Sequence, residues 1–433
     1  MPKKTKNRAV VVDGARTPFV RAFAEFMELD AIDLGVAATR GLLERTEVPW
    51  EVIDAMVWGG VILPTGAPNV GREIILDLGL PRSIEAMTVT RACASGLQAI
   101  TLAAAQIERG EADVVLAGGA DSTSNAPLNM PQSFVHKMAP VVMSSKSGVK
   151  DYFRLLAEIS PAKDLVPTRP QIAERTTGEV MGEAAERMAE RNHVTREEQD
   201  EFAVRSHHRA AMAIEEGLLA EEIVPVTRPD GATIYADTIV RGDTSVEKLA
   251  KLRPAFKKGG TLTAGNSSAL TDGASAVLLM SEARAEELGY EPLAYFDSWA
   301  YVGVDPADQL LMGPALAMPL ALERAGLTLE DMDLVDMHEA FAAQVLSILK
   351  MLESDAFAEA RLHRTQAIGA VDPDILNIYG GSVALGHPFG ATGARMVTTV
   401  ARELHRSQRN HALLGICAAG GLAAAAVMSG VRK

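Results

Sequence analysis

The chain reads as an α/β protein in which one unit of alternating strands and helices is built twice, with a separate stretch inserted between the copies. Three observations carry this reading. Continuous apolar runs such as Val114-Val115-Leu116-Ala117-Gly118-Gly119 alternate with segments of helical period, the pattern of a parallel sheet covered on both faces. Leu43-Glu44-Arg45 with Glu51 and Asp54 returns as Leu322-Glu323-Arg324 with Glu330 and Asp333 at a constant offset of 279. Ala94-Ser95-Gly96 is echoed by Ala391-Thr392-Gly393, and the 114–119 strand by Leu413 to Cys417 running into Gly420-Gly421; three echoes in one order mark an internal repeat. The resulting division is a first half over 1–125, completed by 254–282, an inserted loop domain over 126–253, and a second half over 283–433.

Along the chain, residues 8 to 13 form a short apolar strand ended by Gly14 and the turn at Thr17-Pro18. Asp33 is the expected N-cap of a helix running to Arg45, and residues 52–60 return as a strand. The β-branched run Thr88 to Thr90 reads as the end of a buried strand, followed by a turn of small residues and a helix from Leu97 to Gln106. Six prolines between Pro127 and Pro170 make the start of the insertion irregular. Within it, residues 150–159 are amphipathic and are expected to pack inside the insertion, a partner- or membrane-facing role being the other reading. Thr195-Arg196-Glu197-Glu198 is a capping box that opens a helix reaching Glu216 and stopping at Gly217.

With 433 residues, 48% of them hydrophobic, the chain can build large cores, and a net charge of −14 argues against a nucleic-acid surface. The basic run Lys3-Lys4-Thr5-Lys6-Asn7-Arg8 is too short to change that. No apolar leader opens the chain and no run reaches the length of a membrane span. The two cysteines are expected to remain thiols in a reducing compartment, most simply the cytoplasm.

Four segments carry candidate chemistry, each where a strand meets a turn. Cys93 sits at a strand-to-helix turn, where helix N–H groups and the dipole favour thiolate over thiol; an inert core cysteine explains it equally when it is taken alone. His338 follows the strand Leu334 to Met337. His387 lies in the glycine-rich run Gly380 to Arg395, and Cys417 in Gly415-Ile416-Cys417-Ala418-Ala419-Gly420-Gly421. Open α/β sheets build sites at strand ends, and duplication brings the turns of both copies face to face. Cys93 from the first copy is then expected to meet His338, His387 and Cys417 from the second. Gly386, Gly390, Gly420 and Gly421 would let backbone N–H groups reach an oxyanion. His207-His208, on the capped helix, is expected to be a solvated face.

At these residues the chain resembles the thiolase family, and within it the acetyl-CoA acyltransferases of the β-subunit type. The resemblance spans the whole chain and rests on Asp13-Gly14-Ala15-Arg16-Thr17-Pro18-Phe19, Cys93-Ala94-Ser95-Gly96, Lys251-Leu252-Arg253-Pro254-Ala255-Phe256, Thr263-Ala264-Gly265-Asn266-Ser267-Ser268, Gly386-His387-Pro388 and Cys417 with Gly420-Gly421. Two positions depart from many thiolases: His338 stands where Asn is common, as in the β-subunit type, and Ala419 where Gly is. The resemblance implies a five-layer αβαβα arrangement and cleavage of a 3-oxoacyl-CoA by coenzyme A in fatty-acid β-oxidation. Cys93 would be the nucleophile, His387 its base, and Cys417 the acid for the departing enolate. One oxyanion hole would use the backbone N–H groups of Cys93 and Ala419, the other His387 with a water held by His338. Arg241, Ser268 and Phe341 would contact coenzyme A or substrate. No metal or cofactor is implied, coenzyme A being a substrate. The resemblance suggests a homodimer and leaves open a hydratase/dehydrogenase α-subunit as partner. A biosynthetic acetoacetyl-CoA-forming thiolase, a β-ketoacyl-synthase-like condensing enzyme and a lipid-binding relative without catalysis are the competing readings; the second thiol, Cys417, favours thiolysis.

Overall fold

The computed structural model describes residues 7–167 and 173–431; Lys3 to Lys6 of the basic run and Pro170 lie outside the described residues. The chain divides into two compact units, one of Met1–Asn125 with Ala173–Lys433 and one of Ala126–Ile172. The strands are β1 (Ala9–Arg16), β2 (Val20–Arg21), β3 (Ala55–Gly59), β4 (Glu85–Val89), β5 (Val114–Ser122), β6 (Val226–Thr227), β7 (Thr233–Ile234), β8 (Thr271–Ser281), β9 (Ala294–Gly303), β10 (Leu334–Met337), β11 (His411–Ala418) and β12 (Leu422–Gly430). β6 and β7 pair with each other, and the rest form a ten-stranded sheet in the order β10-β11-β12-β9-β1-β8-β5-β3-β4, with β2 on β8.

That order reads the same outward from its centre. From the short β1–β9 junction, held by Val10 against Tyr295 and Val11 against Ala294, it runs β8-β5-β3 on one side and β12-β11-β10 on the other. The internal repeat is therefore present in the topology. The two halves of the sheet also alternate with helices. Val114 and Leu116 of β5 pack outward with the helices Ala31–Thr46 and Val70–Asp77, while Val115 and Ala117 pack inward on Ser95–Glu108. In the second copy Ala412, Leu414 and Ile416 of β11 face the same inner layer, shared with the helix Phe389–Ser407. Leu413 and Cys417 face out, toward the helices Pro314–Ala325 and Ala342–Leu352. This is the five-layer αβαβα arrangement.

The sheet is mixed rather than parallel. β3 runs parallel to β4 and β5, and β10 to β11, but β11–β12, β9–β12, β5–β8 and β1–β8 are antiparallel. The cause is local in the second copy: Gly420 and Gly421, at φ 82° and 67°, turn β11 back on itself as a hairpin. In the first copy the equivalent antiparallel pair, β5 and β8, is joined by residues 123–270, so the insertion stands in place of that turn. β4 is a half-buried strand at the sheet edge, not a buried one. The first helix begins at N-cap Asp30, and Asp33 is its third residue, returning its carboxylate to the Asp30 N–H at 3.0 Å.

Two glycines set the inner layer. A Cβ at Gly96 would lie 2.4 Å from the Gly390 carbonyl oxygen, and one at Gly393 would lie 2.4 Å from the Leu97 nitrogen. The Ser95–Glu108 and Phe389–Ser407 helices thus touch backbone to backbone near their N-termini, which explains the echo of Ala94-Ser95-Gly96 in Ala391-Thr392-Gly393. Arg16 ties residues 219–238 to β1 through buried ion pairs with Glu222 and Asp237, both at 2.6 Å. Glu222 also accepts from Thr399 Oγ1 at 2.8 Å, joining the same segment to the inner helix.

The smaller unit holds the helices Gln132–Val142, Val149–Glu158 and Pro161–Asp164. Its buried anchor is Asp164, whose carboxylate accepts from Ser133 Oγ at 2.6 Å, Lys137 Nζ at 2.7 Å and the Ser160 N–H at 2.7 Å. The expectation that 150–159 packs inside the insertion is not met, because Leu155 is the one buried residue of its helix.

Candidate active site

β4 ends at Val89, and the chain reaches the next helix through a turn in which Ala92 adopts φ 45°, unusual for a residue with a side chain. Ser95 holds that turn, accepting from the Arg91 N–H at 2.8 Å and donating to the Ala92 carbonyl at 2.7 Å. Cys93 is thereby fixed in front of the helix N-terminus. Its thiol is nonetheless pushed up to about 11, contrary to the expected thiolate. Burial is the largest cause and the Asp121 carboxylate adds to it; the N–H groups of Ala419 and of Cys93 itself oppose both without winning. The resting group is a thiol.

His387 lies close to it. It is 5% exposed, its backbone N–H donates to Thr271 Oγ1 at 2.7 Å, and its Nδ1 lies 2.6 Å from Thr392 Oγ1. His338 is arranged in the same way, with Nδ1 2.9 Å from Ser382 Oγ and its N–H on the Gly415 carbonyl at 2.8 Å. The two ring centroids are 4.1 Å apart, and both Nε2 atoms are buried without a hydrogen-bond partner among the described residues. Donor atoms of Cys93, His338 and His387 all lie within 4.8 Å of one another. Burial and the charge of Arg395 push His387 down to about 3 and His338 well below the usual imidazole range, His387 also contributing to the latter. Arg395 is itself buried and paired with Asp336 at 3.1 Å. Both imidazoles are neutral at physiological pH and able to accept a proton.

Cys417 is buried at the end of β11 and lies outside that close trio. Burial, with the neighbouring Cys93 sulfur, holds its thiol well above the ordinary value, so it rests protonated. The Ala419 N–H reaches the Cys93 sulfur from the turn that follows. Ser268 is half-buried, its N–H on the Ala340 carbonyl at 3.0 Å, and two residues on Leu270 bridges to His387. Phe341 is buried edge-to-face on Phe256 at 5.6 Å. The Arg241 side chain is exposed, and its N–H donates to His207 Nδ1 at 3.2 Å. His207 is therefore a buried acceptor rather than a solvated residue; His208 is exposed.

Three groups escape sequence reasoning. Asp121 is buried beside Cys93 and its carboxylate accepts from the N–H groups of Gly390 at 2.6 Å, Ile62 at 2.6 Å and Val61 at 3.0 Å; burial lifts it to about 6. Its place after Gly118-Gly119 is the one available signal. Glu339 accepts from Ser206 Oγ and Asn377 Nδ2, each at 2.7 Å, and from the Val383 N–H at 3.1 Å, which fixes the turn carrying Ser382. Thr392 is the third. Gly390 also has a different role from the one expected: a Cβ there would lie 2.7 Å from the Gly59 carbonyl oxygen, so its missing side chain serves packing on the sheet.

A thiol from one copy, close to two neutral imidazoles from the other where the inner helices touch, matches what comparison with known proteins finds. Residues 9–283 match the family model for the thiolase N-terminal domain, and residues 290–430 the one for the thiolase C-terminal domain. The chain belongs to the thiolase family. This thiolase is 45% identical over 424 residues to the 3-ketoacyl-CoA thiolase of Serratia proteamaculans, covering 98% of this chain and 97% of that protein. It is 45% identical over 428 residues to the Escherichia coli (strain 55989 / EAEC) 3-ketoacyl-CoA thiolase, with the same coverage of 98% and 97%. Among solved structures, human mitochondrial 3-ketoacyl-CoA thiolase superposes with a TM-score of 0.83 at 30% identity, covering 99% of this thiolase and 100% of that chain. Bacillus anthracis acetyl-CoA acetyltransferase does so with a TM-score of 0.82 at 32% identity, covering 98% and 99%.

Proposed function

We propose that this thiolase is an acetyl-CoA C-acyltransferase that cleaves 3-oxoacyl-CoA with coenzyme A, yielding acetyl-CoA and an acyl-CoA shortened by two carbons, in fatty-acid β-oxidation. The observation that carries this is the close trio of Cys93, His387 and His338 with both Nε2 atoms free. For His387 to accept at Nε2, Nδ1 must bear the hydrogen and donate to Thr392 Oγ1. The Cys93 proton then passes to His387 as sulfur attacks the 3-keto carbon, and the N–H groups of Cys93 and Ala419 receive the oxyanion. Collapse breaks the bond between C2 and C3. The enolate of acetyl-CoA leaves, takes a proton from Cys417, and its oxygen is held by His387 with a water on His338. Coenzyme A gives its thiol proton to the Cys417 thiolate, restoring that acid, and its sulfur attacks the acyl-enzyme; the tetrahedral intermediate expels Cys93, which recovers its proton from His387, and the shortened acyl-CoA is released.

Arg241 would meet the nucleotide end of coenzyme A; Ser268 and Phe341 would line the pantetheine and acyl path. Coenzyme A serves as substrate, and the proposed steps use no metal or prosthetic group, although a thiol with two imidazoles is also a donor set suited to zinc. We further propose a cytoplasmic homodimer that can join a hydratase/dehydrogenase α-subunit, testable by light scattering alone and with that subunit. No helix among the described residues is long and apolar enough to cross a membrane.

A Cys with two His also suits a condensing enzyme, so the decisive assay follows loss of the 3-oxoacyl-CoA enolate absorbance on adding coenzyme A, with acetoacetyl-CoA and a series of longer chains. Cleavage of the longer chains is expected. Condensation without thiolysis would favour the synthase reading, and cleavage of acetoacetyl-CoA alone the biosynthetic one.

A further inference from the structure

The three donor groups at the centre of the site also meet the requirements of a metal centre. Cys93 Sγ and one ring nitrogen from each of His338 and His387 lie within 4.8 Å of one another. Both imidazoles are buried, and both Nε2 atoms lack a hydrogen-bond partner among the described residues. An open polar atom in a dry interior is costly, and here two of them stand beside one sulfur. Each Nδ1 is occupied by a hydroxyl, Thr392 Oγ1 at 2.6 Å for His387 and Ser382 Oγ at 2.9 Å for His338. Outer contacts of this kind fix the tautomer of ligating histidines and leave the other nitrogen to bind the ion. Tetrahedral zinc, about 2.0–2.1 Å from nitrogen and 2.3 Å from sulfur, would set these atoms roughly 3.3–3.6 Å apart, so closure asks for no more than about 1.5 Å of side-chain movement.

Charge and donor type select the ion. A dication here would be met by the Cys93 thiolate and by the Asp121 carboxylate buried beside it. Arg395, the buried cation that faces both imidazoles, is already paired with Asp336. One thiolate and two imidazoles suit zinc and supply none of the oxygen ligands that magnesium or calcium requires. Cys93 is the partly exposed member of the trio, through which an ion can enter, and a water would complete the fourth position. We propose that Cys93, His338 and His387 form a binding site for Zn²⁺ that holds the enzyme in an inactive state. As the bond from sulfur to zinc forms, the Cys93 S–H bond breaks and its proton leaves to solvent. No electrons are transferred, and a chelator that removes the ion returns the thiol. The loss of activity rests on the thiolysis proposed above, because zinc would occupy both the sulfur and the Nε2 it uses; the binding itself does not.

The test titrates the full chain with Co²⁺, which accepts the same ligands and reports them by colour, and then displaces it with Zn²⁺. A single ion per chain should give the visible bands of a four-coordinate centre and a sulfur-to-cobalt charge-transfer band in the near ultraviolet, lost on adding Zn²⁺ and untouched by Mg²⁺. Cys93→Ser should remove the charge-transfer band, whereas Cys417→Ala should keep it. Ser382→Ala, which frees the His338 ring without removing a ligand, should weaken Co²⁺ binding by about 10–100-fold. An unchanged thermal midpoint certifies that each variant folds. Absence of the charge-transfer band in the parent chain, or its survival in Cys93→Ser, would overturn the proposal. In a second arm Zn²⁺ should suppress both alkylation of Cys93 by iodoacetamide and thiolysis, with recovery on adding EDTA. Alkylation at the metal-free rate in saturating Zn²⁺ would equally overturn it. Neither the Co²⁺ spectra nor the alkylation needs turnover, so a failure of the thiolysis reading is told apart from a failure of the site.

Discussion

The substitution Thr392→Val is nearly isosteric and removes one hydroxyl, the atom 2.6 Å from His387 Nδ1. Thr392 is fully buried, so no water replaces that hydroxyl without displacing a packed neighbour. In the resting enzyme the lost bond joins neutral groups. As His387 takes the Cys93 proton the ring becomes an imidazolium, and the bond from Nδ1–H becomes charge-assisted, about twice as strong. The difference falls on the transition state: a loss of about 2 kcal/mol there slows acylation roughly 30-fold. The assay is single-turnover acylation of Cys93 by an acyl-CoA, read by rapid quench and mass spectrometry, alongside steady-state thiolysis. The effect should appear in kcat, with KM little changed, because the hydroxyl meets the base and not the substrate. Thr392→Ser keeps the oxygen and should recover most of the rate. A Thr392→Val enzyme that acylates at the native rate, or a Thr392→Ser enzyme as slow as Thr392→Val, would refute the reasoning.

Cys93→Ser should leave the fold intact and eliminate acyl-enzyme, and a variant still labelled by acyl-CoA would place the nucleophile elsewhere. Cys417→Ala should lower turnover yet still accumulate acylated Cys93; failure to acylate would contradict the separation of the two thiols' roles. With its thiol lifted to about 11, Cys93 should react with iodoacetamide at a rate that climbs about tenfold per pH unit from about 7 to about 10, since only thiolate reacts. A rate already flat across neutral pH would indicate a preformed thiolate–imidazolium pair. Gly96→Ala drives a Cβ to 2.4 Å from the Gly390 carbonyl oxygen and should cost about 3 kcal/mol, lowering the thermal midpoint by about 3 °C. Gly303→Ala, which has nothing within 4 Å and an ordinary φ, is the control and should leave that midpoint in place.

The duplicated layering was legible because burial on both faces forces apolar runs, and because each copy repeats its cap and turn residues. Strand direction was not: whether β8 runs with or against β5 depends on where 123–270 returns the chain, which no local pattern records. The cysteines and histidines stood out as reactive types at strand ends. Asp121, Glu339 and Thr392 did not, since each acts by reaching an atom distant in sequence or by a single hydroxyl in a row of small residues. The Cys93 thiolate was misjudged for a related reason. A helix N-terminus can be read from sequence, whereas the depth of packing that outweighs it belongs to the assembled inner layer. The helix Val149–Glu158 makes the same point on the surface, because periodicity announces an apolar stripe without saying what covers it.

The resting protonation pattern follows from how the halves meet. Contact between the inner helices at Gly96, Gly390 and Gly393 brings their N-termini together, and two N-termini favour negative charge between them. That is where a thioester's oxyanion would develop. Yet the same contact excludes water, which raises both thiols and lowers both imidazoles, leaving every reactive group neutral before substrate arrives. Arg395 reinforces this from one side by keeping positive charge off the histidines, and Asp121 from the other by keeping negative charge off Cys93. Charge therefore appears only as bonds are made, in a place where the backbone donors already point. On this account the hydroxyls of Thr392 and Ser382 matter more than the acidity of either thiol, since they decide which nitrogen is free when the proton has to move.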